Sequence, residues 1–220
     1  MTFLIISDLH LTPKFDPRLF IFLTKTFQSC DQIILNGDFW DHAVCNFNDF
    51  LNSRWQQLFP LLLAKKTIYI TGNHDLPVWL SDQTNQFCLQ TLGHFSLRIG
   101  NHQYLIEHGH RFYPNFGEKH PWLVNDLTVK IAYAAINFGI QLMGPAFIKI
   151  FLHDAVKADQ LMKIWASKHL SCHQTLVCGH THIPIFQPQH HYLNSGFVQA
   201  SYASYLLFEN GQPRLVQTRY

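Results

Sequence analysis

Charge is what this chain has least of. Asp, Glu, Lys and Arg make up 14% of its 220 residues, against 47% hydrophobic ones. A disordered chain needs the reverse balance, so intrinsic disorder is excluded. The 16 basic and 14 acidic side chains leave a net charge of +2. No clustered basic excess and no groove of interleaved basic and aromatic residues stands out, so no nucleic-acid partner is expected. Paired Cys-x-x-Cys motifs are missing as well. Cys30, Cys45, Cys88, Cys172 and Cys178 are odd in number and widely spread, which excludes a disulfide framework or a zinc knuckle and fits free thiols in a reducing compartment. The first residues lack the basic region and long apolar run of a secretory signal, so Phe3 to Ser7 reads as a buried strand and a cytoplasmic location is expected. With no repeat and no low-complexity linker, 220 residues suit one domain, 1–220.

What the chain has in excess is histidine, fifteen of them, and phenylalanine, nineteen. Its first third alternates strand and helix signals. Apolar runs at Phe3 to Ser7, Gln32 to Asn36 and Thr67 to Thr71 are of strand length. Between them, Leu19, Phe22, Leu23 and Phe27 fall at helical spacing after Pro17, and Phe47 to Leu63 predicts a second helix. That order argues for a parallel sheet covered by helices. Further on, Gly100-Asn101 and Asn210-Gly211 each sit between short strand candidates as hairpin turns. Pro121 to Leu170 carries no strand signal and reads as helices inserted in the same domain.

The polar clusters fall at telling places. Asp8-Leu9-His10, Gly37-Asp38, Gly72-Asn73-His74-Asp75, His108 and Gly179-His180-Thr181-His182 each end an apolar strand-like run. Ligands of open α/β sheets bind beyond the strand carboxyl ends, and carboxylate, amide and imidazole groups are the ligands that borderline divalent metals accept. Taken singly, each cluster has an ordinary explanation: a turn acid, a helix cap, a loop whose Gly and Asn tolerate positive φ, a solvated histidine pair. Their joint occurrence, each after a strand, carries the case.

Those five clusters, with Asp41 completing Gly37-Asp38-x-x-Asp41, resemble the five-part signature of the calcineurin-like metallophosphoesterases, from the first strand to about Gly196. The resemblance implies an α/β fold, a four-layer αββα sandwich, with a dinuclear metal centre at its strand ends. Asp8, His10 and His182 would then hold one cation and Asn73, His108 and His180 the other, with Asp38 bridging them at the separation of about 3.5–4 Å usual for two-metal sites. A hydroxide shared by the cations would attack phosphorus in line. His74, held by Asp75, would be the catalytic group that meets the substrate phosphate beside Asn73 and assists the leaving oxygen. The implied metal is manganese, while the ligand chemistry alone also admits iron, cobalt or zinc. Asp41 has two readings of equal weight, a carboxylate orienting a ligand histidine or a cap for the following helix. His110 stands where the family often carries an acid.

Within that superfamily, Ile6-Ser7-Asp8-Leu9-His10-Leu11 and Tyr192-Leu193-Asn194-Ser195-Gly196 look like the UDP-2,3-diacylglucosamine hydrolase branch, which cuts a lipid A precursor into UMP and a lipid monophosphate. That branch carries a helical lid where this chain has residues 121–170. Trp122, Leu123, Leu127, Ile131, Ala134, Phe138 and Leu142 recur at helical intervals, and Phe147, Ile148, Phe151 and Leu152 continue past Gly144-Pro145. The stripe fits core helices, a membrane span interrupted by Asn137 and Gln141, or a lid with an apolar groove resting on the inner membrane surface; the lid is the reading preferred. Lys130, Lys149, Lys157 and Lys163 lie on it and would meet phosphate or headgroups, or solvent alone. His74 departs from the arginine of the best-defined lipid A hydrolases, which keeps a soluble phosphodiesterase or phosphatase acting on nucleotides as the alternative. A protein-binding scaffold would have shed ligands, and here every ligand position is filled.

Overall fold

The computed structural model describes residues 1–113 and 126–220. The chain opens as expected, with β1 (Phe3–Ile6), α1 (Pro17–Gln28) and β2 (Gln32–Asn36). Asp16 caps α1, its side chain accepting from the backbone N–H of Arg18 at 2.8 Å, and Pro17 occupies the first turn. The helix predicted over 47–63 is instead broken into α2 (Phe47–Leu51), a 3₁₀ turn at Arg54–Leu58, and α3 (Phe59–Ala64). The reason is local: the Asn52 amide and Ser53 hydroxyl donate to the carbonyls of Asn48 and Phe50, and Ser53 then caps the 3₁₀ turn.

After β3 (Ile68–Ile70) come β4 (Gln90–Leu92) and the hairpin of β5 (His94–Ile99) and β6 (His102–Glu107). Three helices follow: α4 (Asp126–Met143), α5 (Pro145–Phe151) and α6 (His153–His169). Trp122 and Leu123 lie outside the described residues, as do the side chains of Leu127 and Lys130. Next are β7 (Gln174–Cys178), β8 (Ile185–Gln187), β9 (Tyr192–Asn194) and β10 (Val198–Gln199). A closing hairpin, β11 (Tyr202–Glu209) and β12 (Gln212–Arg219), turns on Asn210 and Gly211, both at positive φ as a type I′ turn requires.

One sheet runs β10-β11-β1-β2-β3-β4, with β12 paired to β11; β1 to β4 are parallel. The other runs β5-β6-β7-β9-β8, and β6, β7 and β9 are parallel. Strand alternation builds the layers. Leu4, Ile6, Ile33 and Leu35 face α1, α2 and α3, while Ile5 and Ile34 turn inward to meet Ile106, Val177 and Leu193 of the second sheet. On that sheet's outer face, Leu176, Cys178 and Tyr192 pack on Ala158, Met162 and Ala166 of α6. The result is an αββα sandwich. Among the described residues no single helix is long and apolar enough to cross a membrane, and Ile131–Met143 and α5 are bent by 119° at Gly144.

In the α6 layer, the Tyr192 hydroxyl donates to Asp159 at 2.7 Å, and burial pushes that carboxyl up to about 6. A pKa raised on folding adds stability that is complete below the unfolded value near 4 and is lost as pH rises through 6. Against Asp159→Asn, which keeps the acceptor and cannot ionise, the wild type should therefore lose up to about 3 kcal/mol between about pH 4 and pH 7 in urea titrations. A flat difference across that range would show that the carboxyl is not held neutral.

Candidate metal centre

Asp8, Asp38, Asn73, His108 and His180 follow the carboxyl ends of β1, β2, β3, β6 and β7, so both sheets deliver their loops to one place. Backbone bonds tie the loops together. The Asp8 N–H donates to Gly37 O at 3.1 Å, those of Leu9 and His10 to Asp38 O at 3.0 and 2.9 Å, and that of Gly179 to His108 O at 3.0 Å. Close approach requires glycine at several points of the site, among them Gly37, Gly72 and Gly179. A Cβ on Gly37 would sit 2.3 Å from His108 Nδ1, and one on Gly72 would sit 2.2 Å from Asp38 Oδ1. Asp8, His10, Asp38, His180 and His182 all have positive φ, between 45° and 67°. This left-handed region is uncommon for side-chain-bearing residues and is tolerated best by Asp, Asn and His. Such clustered strain marks a site whose side chains must point where ordinary turns would not send them.

Asp38 sits at the middle. Its Oδ2 lies 3.2 Å from His108 Nε2 and 3.7 Å from His10 Nε2, while its Oδ1 accepts the His74 N–H at 2.9 Å. On one side, Asp8 Oδ1 is 3.1 Å from His182 Nε2, which is 3.2 Å from His10 Nε2. On the other, the His180 ring stands 5.3 Å from that of His108. Asp8, His10 and His182 form one set of atoms able to hold a cation, and Asp8, Asp38 and His108 another.

The imidazoles are oriented from behind. Asn36 O lies 2.8 Å from His108 Nδ1, and Asp41 Oδ2 lies 3.3 Å from His10 Nδ1. Each acceptor fixes the proton on Nδ1 and leaves the Nε2 lone pair aimed into the centre. His180 is held in reverse, with Tyr113 O accepting from its Nε2 at 3.3 Å. His182 is stacked on buried Phe197, 5.4 Å between centroids. Burial alone would raise the Asp38 carboxyl, but His108, His74 and His10 hold it well below the usual carboxylate range. Against its own burial, His108 is pushed up to about 10 by Asp38 and Asp8. Burial and His108 together push His180 down to about 3.

Do these residues suit divalent cations? Asn73 Oδ1 is buried and meets no hydrogen-bond partner among the described residues, and Asp8 Oδ1 and His108 Nε2, though 3.1 and 3.2 Å from His182 and Asp38, make no well-aligned hydrogen bond. Orphaned atoms of this kind are expensive unless something coordinates them. Two carboxylates, an amide and imidazoles that yield any proton on the metal-facing nitrogen are the mixed oxygen and nitrogen donors that borderline divalent metals take. The donor set fits.

One expectation is corrected here. Asp75 does not hold His74. Its carboxylate is fully buried beneath the loops, accepting the Tyr69 hydroxyl and Gly72 N–H at 2.5 Å and the Phe39 N–H at 2.8 Å. Pushed up to about 6 by burial and by Asp38, it braces the loops and touches no reacting position. The group that holds His74 is Asp41, whose Oδ1 lies 2.9 Å from His74 Nδ1. Of the two readings of Asp41 the orienting one holds, and the helix cap does not: Asp41 accepts the Ala43 N–H at 2.9 Å within a turn, and Asn46 caps the following helix. His110 packs 5.7 Å from the His108 ring. Sequence reasoning missed Tyr133 of α4, whose hydroxyl bonds to Asp41 Oδ2. It also missed Tyr69, whose partner Asp75 is six residues away, within reach of a sequence argument.

Residues 1–184 match the calcineurin-like phosphoesterase family. The chain belongs to that family. It is thereby a metal-dependent phosphoester hydrolase of α/β fold. No curated protein matches the chain. Among solved structures it is similar to Yfce, a phosphoesterase from E. coli, at 18% identity over 96% of this chain and 89% of that one, with a TM-score of 0.47. It is also similar to Vacuolar Protein Sorting 29 from Cryptosporidium Parvum, at 13% identity over 100% and 97% of the two chains and a TM-score of 0.44.

The tightest steric demand of this phosphoesterase site yields a prediction. Gly72→Ala must push aside Asp38 Oδ1 or the His108 ring, 2.8 Å away. Overpacking of this kind costs about 1–3 kcal/mol. Manganese retained after desalting, measured by plasma mass spectrometry, should fall at least about tenfold. Full retention would place the cation elsewhere.

Proposed function

We propose that this chain hydrolyses the pyrophosphate of a lipid-linked nucleoside diphosphate, UDP-2,3-diacylglucosamine or a close relative, to a nucleoside monophosphate and a lipid monophosphate. The observation that carries the reading is an apolar cavity of about 440 Å³ opening beside His180 and Thr181. Ile136 of α4, Phe151 of α5, Leu152, and Ala155 and Ala158 of α6 form its apolar walls, and Tyr113, His153 and Asp154 line the rest. A phosphoesterase acting on soluble nucleotides gains nothing from an apolar chamber beside its metal ligands. One acting on an acylated substrate gains about 0.8 kcal/mol for each methylene it buries there.

In this reading α4 to α6 are the lid of a single domain. Asp8, His10 and His182 hold one cation, Asn73, His108 and His180 hold the second, and Asp38 lies between the two sets. A pair of divalent cations, manganese by preference, supplies the Lewis acidity that neutralises phosphate charge and makes water nucleophilic near neutral pH. The chain's own residues do the rest. Asn73 and the His74 ring face the phosphate. With Nδ1 committed to Asp41, His74 has Nε2 left to give a proton to the departing oxygen, and Asp38 and Asp41, against its burial, favour the protonated ring. Outside the cavity, Ile131, Phe138, Leu142, Met143 and Ile150 are exposed on α4 and α5, and Lys149 and Lys157 are exposed near them. This surface supports peripheral contact with the cytoplasmic face of an inner membrane.

The manganese-loaded protein should release UMP from UDP-2,3-diacylglucosamine at least about 100-fold more efficiently than it cleaves bis(p-nitrophenyl) phosphate, by kcat/KM. No UMP at any metal loading, with the aryl diester still cleaved, would favour the soluble nucleotide phosphodiesterase instead. His74→Ala should lower kcat by about 10²–10³-fold while leaving bound metal unchanged, as expected of a proton donor that ligates nothing.

A further inference from the structure

The carboxylate of Asp41 has no exposure to solvent, and all of its acceptor capacity is taken. Oδ1 accepts the Ala43 N–H and faces His74 Nδ1, both at 2.9 Å. Oδ2 faces His10 Nδ1 at 3.3 Å and accepts the Tyr133 hydroxyl. An ionised carboxylate offers about four acceptor positions, so two donors on each oxygen saturate it. Three of those donors belong to the metal loops. The fourth comes from α4, 92 residues away.

Among the described residues, the apolar packing of α4 does not involve that hydroxyl. The helix is seated by Ile136 and Ile140, which join Ile148, Ile183 and Phe197 in a separate apolar cluster. Tyr133 instead reaches past the cluster, its ring edge-on to that of His10 with centroids 6.4 Å apart. Without that donor the buried carboxylate keeps an unpaired lone pair on Oδ2 and is held by three partners instead of four, so it turns more readily about its side-chain bond. Both imidazoles it steers would turn with it.

We infer that Tyr133 is a positioning residue of the phosphoesterase reaction: through Asp41 it sets the rings of His74 and His10, so the centre is fully assembled only with α4 seated. The inference rests on the phosphoesterase reading of this centre and not on the identity of the lipid. It ties whatever fills the cavity along α4 to the orientation of the proton donor.

Two measurements on the full-length chain test it. The first needs no metal and no turnover: exchange of the His74 and His10 imidazole Nδ1 protons with water, followed by NMR on the metal-free protein. Tyr133→Phe should speed that exchange at least about tenfold in a protein that stays folded, its melting temperature lowered by about 2–10 °C. The second is turnover of bis(p-nitrophenyl) phosphate by the manganese-loaded protein. Tyr133→Phe should cut kcat by roughly 10–100-fold with KM within about twofold. Asp41→Asn should do the same, and the double variant should be no worse than Asp41→Asn alone. Unchanged proton exchange would overturn the inference. So would a loss confined to KM, which would make Tyr133 a substrate contact, or losses that multiply in the double variant. If the wild type cleaves no phosphodiester, the phosphoesterase reading fails, and the proton exchange still decides the role of Tyr133.

Discussion

Asp38 is the constraint on which the rest of the structure turns. A carboxylate 2% exposed to solvent is tolerable only in company that offsets its charge. His108 from the second sheet and His10 from the first supply that company at 3.2 and 3.7 Å. The two sheets are thus joined by apolar packing between their inner faces and by electrostatics at their carboxyl ends. Cations seated there would offset the same buried negative charge.

Holding such a cluster has consequences for the backbone. The left-handed turns at Asp8, His10, Asp38, His180 and His182, and the glycines pressed against His108 and Asp38, are each unfavourable in isolation. They persist because the loops are cross-bonded to one another and braced from below by Asp75, which binds Tyr69, Gly72 and Phe39 together. Asp75 and Asp41 divide two tasks that one acid seemed to combine. The first fixes backbone and the second fixes imidazoles. His74 and Asp75 are adjacent in sequence yet have different partners, Asp41 for the ring and Tyr69, Gly72 and Phe39 for the carboxylate.

Much of the fold was legible because its signals are local. The continuous apolar runs of Phe3–Ile6 and Gln32–Asn36, Asp16 before Pro17, and Asn210-Gly211 all act within a few residues. The split of the 47–63 segment was missed where two kinds of local signal compete: apolar spacing favoured one helix, while Asn52 and Ser53 captured backbone carbonyls. Short strands β4, β8 and β10 escaped notice because two or three residues carry no period.

The sequence by itself determined which side chains stand at the strand ends, since apolar runs followed at once by Asp, Asn and His are a one-dimensional pattern. Tertiary structure alone decided who serves whom among them. That Asp41 rather than Asp75 orients His74, and that Tyr133 closes the same carboxylate from a helix far along the chain, depends on distances in space that no spacing in the chain encodes. Hydrogen bonds reach about 3 Å and take no account of separation along the polypeptide.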